Sequence, residues 1–281
     1  MPDIDWAAAI NARRSVRSYD LRPVEAAKMS ALKGFIDEMQ IPFEHNVSIR
    51  FFKADPTKKL FTVFNSPPDG AAFLAPTDIC SISKAGFVGE MLILYAVSLG
   101  LGTCWYGHYS PAELERIMPH LGEHKAAVLS GSVKYGYGNG EVPGERAICI
   151  TPLGYWQQEG LRLMDRMQTS LFSFKRKPVA ALLEEGANAD SLSPELLYAF
   201  DLARKAPSAA NSQFWRFGVS ADCKTVTIAR PVGHKHFKWE HPDVDIGICA
   251  CHFWLGLRLK NIDCRVSLQE EQGRAVWRFF L

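Results

Sequence analysis

The chain has 281 residues, 47% hydrophobic and 22% charged, which is ordinary globular material, long enough for one large domain or two small ones. A net charge of +2, with no arm of basic residues interleaved with aromatics, excludes a global pull toward nucleic acid or an anionic membrane surface. Seven cysteines, odd in number and without a C-x-x-C pair, argue against a disulfide framework or a structural zinc site. They read as buried thiols in a reducing compartment. With no basic n-region leading into an apolar stretch at the start, the chain reads as cytoplasmic.

Residues 5–11 read as a short helix, with Ile4, Ala8 and Ile10 apolar. It runs into Arg13-Arg14-Ser15-Val16-Arg17, followed by Ser18-Tyr19-Asp20. Guanidinium forks match phosphate oxygens bidentately and a serine hydroxyl adds a donor, so this cluster suits an anionic ligand. The same residues would also suit the solvated last turn of a helix.

Residues 24–39 show helical periodicity at Ala27, Leu32, Phe35 and Ile36, stopped by Ile41-Pro42. Residues 47–52 and 60–64 are strand-like, and 65–70 form a turn. A strand over 75–82 is expected to lead into a helix over 87–99 that is apolar nearly all round. Such a helix belongs in the interior, as a central helix or at a subunit-like seam. The longest apolar run, 91–106, is broken by glycines, preceded by Glu90, and too short to span a bilayer comfortably.

The helix closes on Gly100-Leu101-Gly102-Thr103-Cys104-Trp105. These glycines permit a left-handed cap followed by a buried strand, and equally let backbone approach a flat ligand. A helix over 111–118 and strands over 126–133 and 147–151 follow, the strands bracketing the glycine-rich loop 136–140. That loop lacks the G-x-G-x-x-G frame of a dinucleotide site and reads as a flexible hairpin or lid. Phe174-Lys175-Arg176-Lys177-Pro178-Val179 is a basic segment before a short helix.

A helix over 192–205 is halted by Pro207, within Ala206-Pro207-Ser208-Ala209-Ala210-Asn211-Ser212-Gln213-Phe214-Trp215. Ser208 and Asn211 are placed to cap a new helix there and to offer free polar groups. Past residue 186 the chain begins a partial second copy: 192–205 repeats the first half's helix, and Gly247 with 249–259 echoes Gly86 and 87–99. The first copy has the arginine cluster but only Gln40-Ile41-Pro42-Phe43-Glu44-His45-Asn46 where A-P-S-A-x-N would fall. The second has A-P-S-A-A-N but no arginine cluster.

His234, His236 and His241 have no carboxylate or cysteine at ligand spacing, so no metal site is assigned. Cys251-His252 reads as a core thiol beside a helix-surface imidazole. Trp105, Trp215, Phe253 and Trp254 read as core or seam aromatics.

Together, R-R-S-x-R and A-P-S-A-x-N-x-Q-x-W resemble the nitroreductase family of flavoproteins, and G-L-G-T-C-W and Leu153-Gly154-Tyr155 are similar to further segments of it. The resemblance is to its internally duplicated, single-chain subgroup. It implies an α+β fold, a mixed sheet flanked by helices, with two fused related halves, 1–186 and 187–281, forming a pseudo-dimer. It implies one FMN at the seam, with Arg13, Arg14 and Ser15, together with Arg176 or Lys177, at the phosphate. Arg17 would sit at the N1 and C2-carbonyl edge of the flavin. Gly100, Leu101, Gly102 and Thr103 would flank the ring, and Pro207, Ser208, Ala209 and Asn211 would close the site from the other half.

A cation at the N1 edge favours reduced flavin, and a charge-assisted hydrogen bond of about 1.5–3 kcal/mol corresponds to roughly 30–65 mV. No side chain is then a catalytic acid or nucleophile; flavin N5 performs the hydride transfer. NADH or NADPH would be the donor and a small acceptor, a nitroaromatic or a quinone, the partner. The chain would be a monomeric pseudo-dimer or a weak homo-oligomer. The alternatives are a flavin-binding sensor or storage protein without turnover, and a flavin-free descendant in which the arginines are only surface.

Overall fold

The computed structural model describes residues 4–61, 66–119, 144–157, 175–187, 189–235 and 241–281. In chain order the first elements are α1 (Trp6–Ala12), β1 (Tyr19–Asp20), α2 (Ala26–Glu38), β2 (Ser48–Lys53), β3 (Asp69–Ala75), α3 (Ile79–Ser98) and α4 (Pro111–Ile117). They are followed by β4 (Arg146–Leu153), β5 (Tyr155–Trp156), α5 (Pro194–Ala203), β6 (Arg216–Val219), β7 (Thr225–Ala229), α6 (Asp243–Leu259), β8 (Arg265–Glu271) and β9 (Arg274–Phe280).

Two antiparallel sheets, β2-β3-β4 and β6-β7-β9-β8, belong to the two halves, and a small ribbon joins β1 to β5. Parallel pairing enters through single bridges, Ser15 with Thr103 and Leu183 with Phe217. Between the sheets α3 and α6 cross. There the glycines matter: a Cβ on Gly86 would lie 2.2 Å from the Val244 carbonyl oxygen, and one on Gly247 would lie 1.8 Å from that of Ser83. Backbone rests on backbone, and the contacts are reciprocal.

One sequence offset relates Gly86 to Gly247, Ser83 to Val244 and Gly100 to Asn261. The helix ends repeat it as well. Leu101 N donates to Ala96 O at 3.0 Å and Ile262 N to Leu257 O at 3.0 Å. Gly100 and Asn261 both take the left-handed conformation, at φ 78° and 54°. These are two related halves about a pseudo-twofold axis.

The halves share one core. Phe73 and Phe87 from the first and Phe200, Trp215, Phe253 and Trp277 from the second are fully buried in a single cluster. Trp277 stacks on Phe87 at 5.4 Å and donates to Ser83 Oγ at 2.9 Å. Neither half buries its central helix alone.

The strand expected over 75–82 is not there: β3 occupies Asp69–Ala75, and α3 begins two turns earlier than the apolar run suggested. Asp78 is the reason, its carboxylate accepting from Ser81 N at 2.9 Å as a helix N-cap. The expected turn over 65–70 is accordingly shortened by β3. Of the strand expected over 60–64, the described part is a bridge between Phe61 and Tyr109. The strand over 126–133 and the loop 136–140 lie outside the described residues. Cys80, Cys223 and Cys264 are only half-buried, because they sit at element ends, whereas Cys104, Cys149, Cys249 and Cys251 are buried.

By length and composition α3 could cross a membrane, yet 78% of its apolar window is covered by the fold. It is a core helix by position.

Candidate functional site at the seam

Asp5 caps α1 by accepting from Ala8 N at 2.8 Å, and the helix ends at Arg13, whose φ/ψ of −55°/128° turns the chain into extended backbone. Val16 N donates to Thr103 O at 2.8 Å, so Arg13 to Arg17 runs as a strand along the segment that follows α3. Alternation then puts Arg13, Ser15 and Arg17 on one side and Val16 on the other. Val16 fills the space a Gly102 side chain would take, with contacts of 3.1–3.3 Å. Arg13, Ser15 and Arg17 converge on the Cys104 thiol, which burial pushes up while those three oppose the rise. Arg14 points elsewhere, donating to Asn11 O at 3.3 Å.

Arg13 is 7% exposed, and no hydrogen bond from its guanidinium is formed to the described residues; Nε is buried and unpartnered. Its nearest counter-charge is Glu90 Oε1, 3.9 Å from Nε. Burial lowers its pKa, with Glu90 the main opposing influence. A buried cation with unused donors is costly unless an anion completes it. Thr103 Oγ1 is likewise buried without a partner among the described residues. Gly102 pairs with Gly154 at 2.7 Å, Leu101 is buried beneath, and Gly100 is an exposed cap.

From the other side come the basic tail and the turn after α5. Arg176 donates to Asn211 Oδ1, Asn211 Nδ2 to Lys175 O at 3.2 Å, and Lys177 N to Gln213 Oε1 at 2.8 Å. The Lys177 ammonium is occupied by the carbonyls of Ser212 and Gln213, at 3.2 and 3.3 Å. Arg176 is pushed down to about 10, by burial first and then by the charge of Arg13. Arg176 therefore joins the two segments: it is bonded to Asn211 and adds its charge to that of Arg13. Lys205 Nζ, 3.0 Å from Asn11 Oδ1, ties the end of α1 to the second half directly.

The expected helix after Pro207 is a single three-ten turn, Ala209–Asn211, leading into β6. Ala210, Asn211 and Gln213 have φ near 50°, a conformation that side chains resist and that helix cannot continue. Buried Pro207 precedes the turn. Ser208 Oγ accepts from Gln213 N at 3.0 Å, and Ala209 N donates to Asp245 at 3.0 Å.

Asp245 adds a buried carboxyl to the turn. Burial pushes its carboxyl up to about 7, the Ala209 amide opposing and Asp243 adding to the rise. A carboxyl raised above its unfolded value of 3.8 stabilises the fold fully below that value, and the contribution is lost as pH rises through about 7. Asp245→Asn keeps an acceptor for Ala209 without the buried charge. Urea melts should find the variant more stable than the parent at pH 8, by on the order of 2 kcal/mol, with the gain vanishing near pH 4. An equal effect at both pH values would contradict this.

Glu90, Trp105 and His252 were also not assigned to the site. His252, expected on a helix surface, is fully buried and 2.8 Å from Glu90 Oε1; Trp105 Nε1 donates to Glu90 Oε2 at 2.6 Å. The available signal was one acid inside an otherwise apolar stretch of α3. Of the histidines to which no metal site was assigned, His234 packs tilted against Phe214, ring centroids 3.6 Å apart, and His236 is outside the described residues.

A cleft of about 440 Å³ lies away from these residues, lined by Gln40, Ile41, Pro42, Trp254, Arg258 and Asn261 to Cys264. The pseudo-axis relates this place to the candidate site, since Asn261 to Cys264 stand where Gly100 to Thr103 stand. Asp263 and Cys264 replace Gly102 and Thr103 there.

Residues 5–129 and 133–257 match the family described as "Putative TM nitroreductase". Among solved structures the chain is similar to one described as a putative nitroreductase from Thermotoga maritima, with a TM-score of 0.60 at 18% identity, covering 100% of this chain and 95% of that one. Weaker similarity, at a TM-score of 0.37, extends to a nitroreductase with bound FMN from Bacteroides fragilis (16% identity, 68% of this chain, 98% of that one). An FMN-dependent nitroreductase from Clostridium difficile gives the same score at 18% identity, over 54% of this chain and 88% of that one. No curated protein matches the chain.

Proposed function

The chain belongs to the nitroreductase family whose model it matches along most of its length, and from that premise we propose that it is an FMN-dependent oxidoreductase with one flavin site at the seam between residues 1–186 and 187–281. The donor is NADH or NADPH and the acceptor a small organic molecule such as a nitroaromatic or a quinone, turned over in the cytoplasm without nucleic acid or membrane. The chain works as a monomeric pseudo-dimer or a weak homo-oligomer.

One observation carries the reading: a buried Arg13 guanidinium, without a hydrogen bond to the described residues, feels the charge of Arg176, which is anchored to Asn211 of the other half. Two converging cations, an unpartnered Thr103 hydroxyl and the nearby Ser15 fit a phosphate carried by a flat cofactor. FMN, when bound, supplies the hydride chemistry.

The chain's own residues bind and orient. Arg13, Ser15 and Arg176 hold the phosphate, and Lys177 fixes the Ser212–Gln213 backbone rather than the ligand. The strained turn Ala210 to Gln213, tethered to Asp245 and to the tail, keeps its polar groups turned toward the seam. Arg17, half-buried on the same side of its strand as Arg13, supplies positive charge that favours reduced flavin.

Anaerobic addition of NADH or NADPH to the FMN-loaded protein tests the enzyme. Rapid loss of the visible flavin bands, reversed by a quinone or nitroaromatic, is expected. A yellow protein inert to both reductants would leave a binding protein without turnover.

A further inference from the structure

The cleft of about 440 Å³ at the end of α6 falls within the roughly 300–1,000 Å³ that small-molecule sites occupy. Ile41, Pro42 and Trp254 give it an apolar wall, and Arg258 and Asp263 give it charge. Trp254 is 4% exposed and packs against Phe87 at a ring distance of 5.7 Å, so the wall is fixed. Arg258 Cζ lies 5.1 Å from the centre of the Trp254 ring. The pseudo-axis takes Trp254 to Ile93 and Arg258 to Val97, so the ring and the cation belong to this cleft and have no counterpart at the seam.

Arg258 and Asp263 are exposed, and neither side chain forms a hydrogen bond or an ion pair with a described residue. At the end of α5, by contrast, Arg204 and Lys205 both pair with Asp201, at 2.6 and 2.7 Å. Burial pushes the Cys264 thiol of the cleft up to about 11, with Asp263 adding to the rise and Arg258 opposing it, so both charges border the same wall. The next cations along the chain are turned onto aromatic rings: Lys260 lies over Tyr198 at 4.3 Å and Arg265 over Phe280 at 4.0 Å. One positive and one negative charge therefore remain at the cleft, each without its opposite.

We propose that this cleft binds a free apolar α-amino acid, its carboxylate on Arg258, its ammonium on Asp263 and its side chain against Ile41, Pro42 and Trp254. A ligand with a single charge of either sign gains one of these groups and is repelled by the other, whereas a zwitterion satisfies both. Flavin is a poor occupant, because the second half lacks the arginine cluster and Asp263 opposes a phosphate. The site is separate from the flavin at the seam, and each can be occupied without the other.

Calorimetric titration of L-phenylalanine into the full chain, in excess FMN so that the seam is filled, tests the assignment. One equivalent should bind. L-phenylalaninamide, without the carboxylate, and N-acetyl-L-phenylalanine, without the ammonium, should each bind about tenfold or more weakly. Arg258→Gln should weaken the amino acid about tenfold and leave the amide unchanged, and Asp263→Asn should weaken it similarly and leave the acetyl compound unchanged. Both positions are exposed, so the variants keep the fold. No binding of the amino acid, equal binding of the blocked compounds, or binding unaltered in both variants overturns the proposal and leaves the flavin site standing. Displacement of FMN by the amino acid would place it at the seam and overturns the proposal as well.

Discussion

Arg13→Ala should weaken FMN binding by roughly 10–150-fold, the loss of one buried charge-assisted contact of about 1.5–3 kcal/mol. The side chain is 7% exposed and forms no hydrogen bond with the described residues, so its removal takes away little that holds the chain together. The variant should therefore stay folded, and flavin fluorescence titration should register the defect as affinity alone.

Asn211→Ala is the partner experiment, because Asn211 anchors Arg176 and the Lys175 carbonyl from the second half. Both variants should lose affinity. Loss in one and none in the other would contradict a site assembled from both halves.

Gly247→Val should be the most damaging substitution to the fold itself. An added Cβ would lie 1.8 Å from the Ser83 carbonyl oxygen and 3.0 Å from Phe87 N, and both obstacles are backbone of α3. No rotamer change relieves that overlap; the helices must separate. Overpacking typically costs 1–3 kcal/mol and more where backbone must move, so a loss of at least about 3 kcal/mol is expected. At roughly 2–4 °C per kcal/mol for a chain of this order, the midpoint of thermal unfolding should fall by about 6–12 °C or more. Since the seam is also the candidate site, FMN affinity should fall with it. A variant as stable as the parent would refute the close helix crossing.

What was legible in the sequence was local. The arginine cluster and the A-P-S-A-A-N segment announce themselves because consecutive residues carry the chemistry. The burial of α3 follows from an apolar surface all round. The start of α3 is hard to place because Ser81, Ser83 and Lys84 break up the apolar character of its first turns, while the deciding contact is one carboxylate, Asp78, on one amide. The turn after Pro207 is equally hidden in the sequence: its left-handed residues are alanine, asparagine and glutamine, which give no glycine signal.

The pairing of Glu90 with His252 was out of reach, since it depends on how two helices from different halves cross. In a helix seen alone an imidazole beside Cys251 would face water, but α5, α3 and β9 cover α6 from several sides, so His252 is buried. Asp245 is hidden in the same way, because its partner, the Ala209 amide, belongs to a turn whose left-handed residues carry no glycine.

The central claim is a single flavin site formed from both halves, and the direct measurement is the visible spectrum of the purified protein with released FMN quantified against chain concentration. A single equivalent per chain after saturation with FMN is the predicted result. Two equivalents would mean that the cleft beside Trp254 and Arg258 also holds flavin. None, even with added FMN, would contradict the account outright.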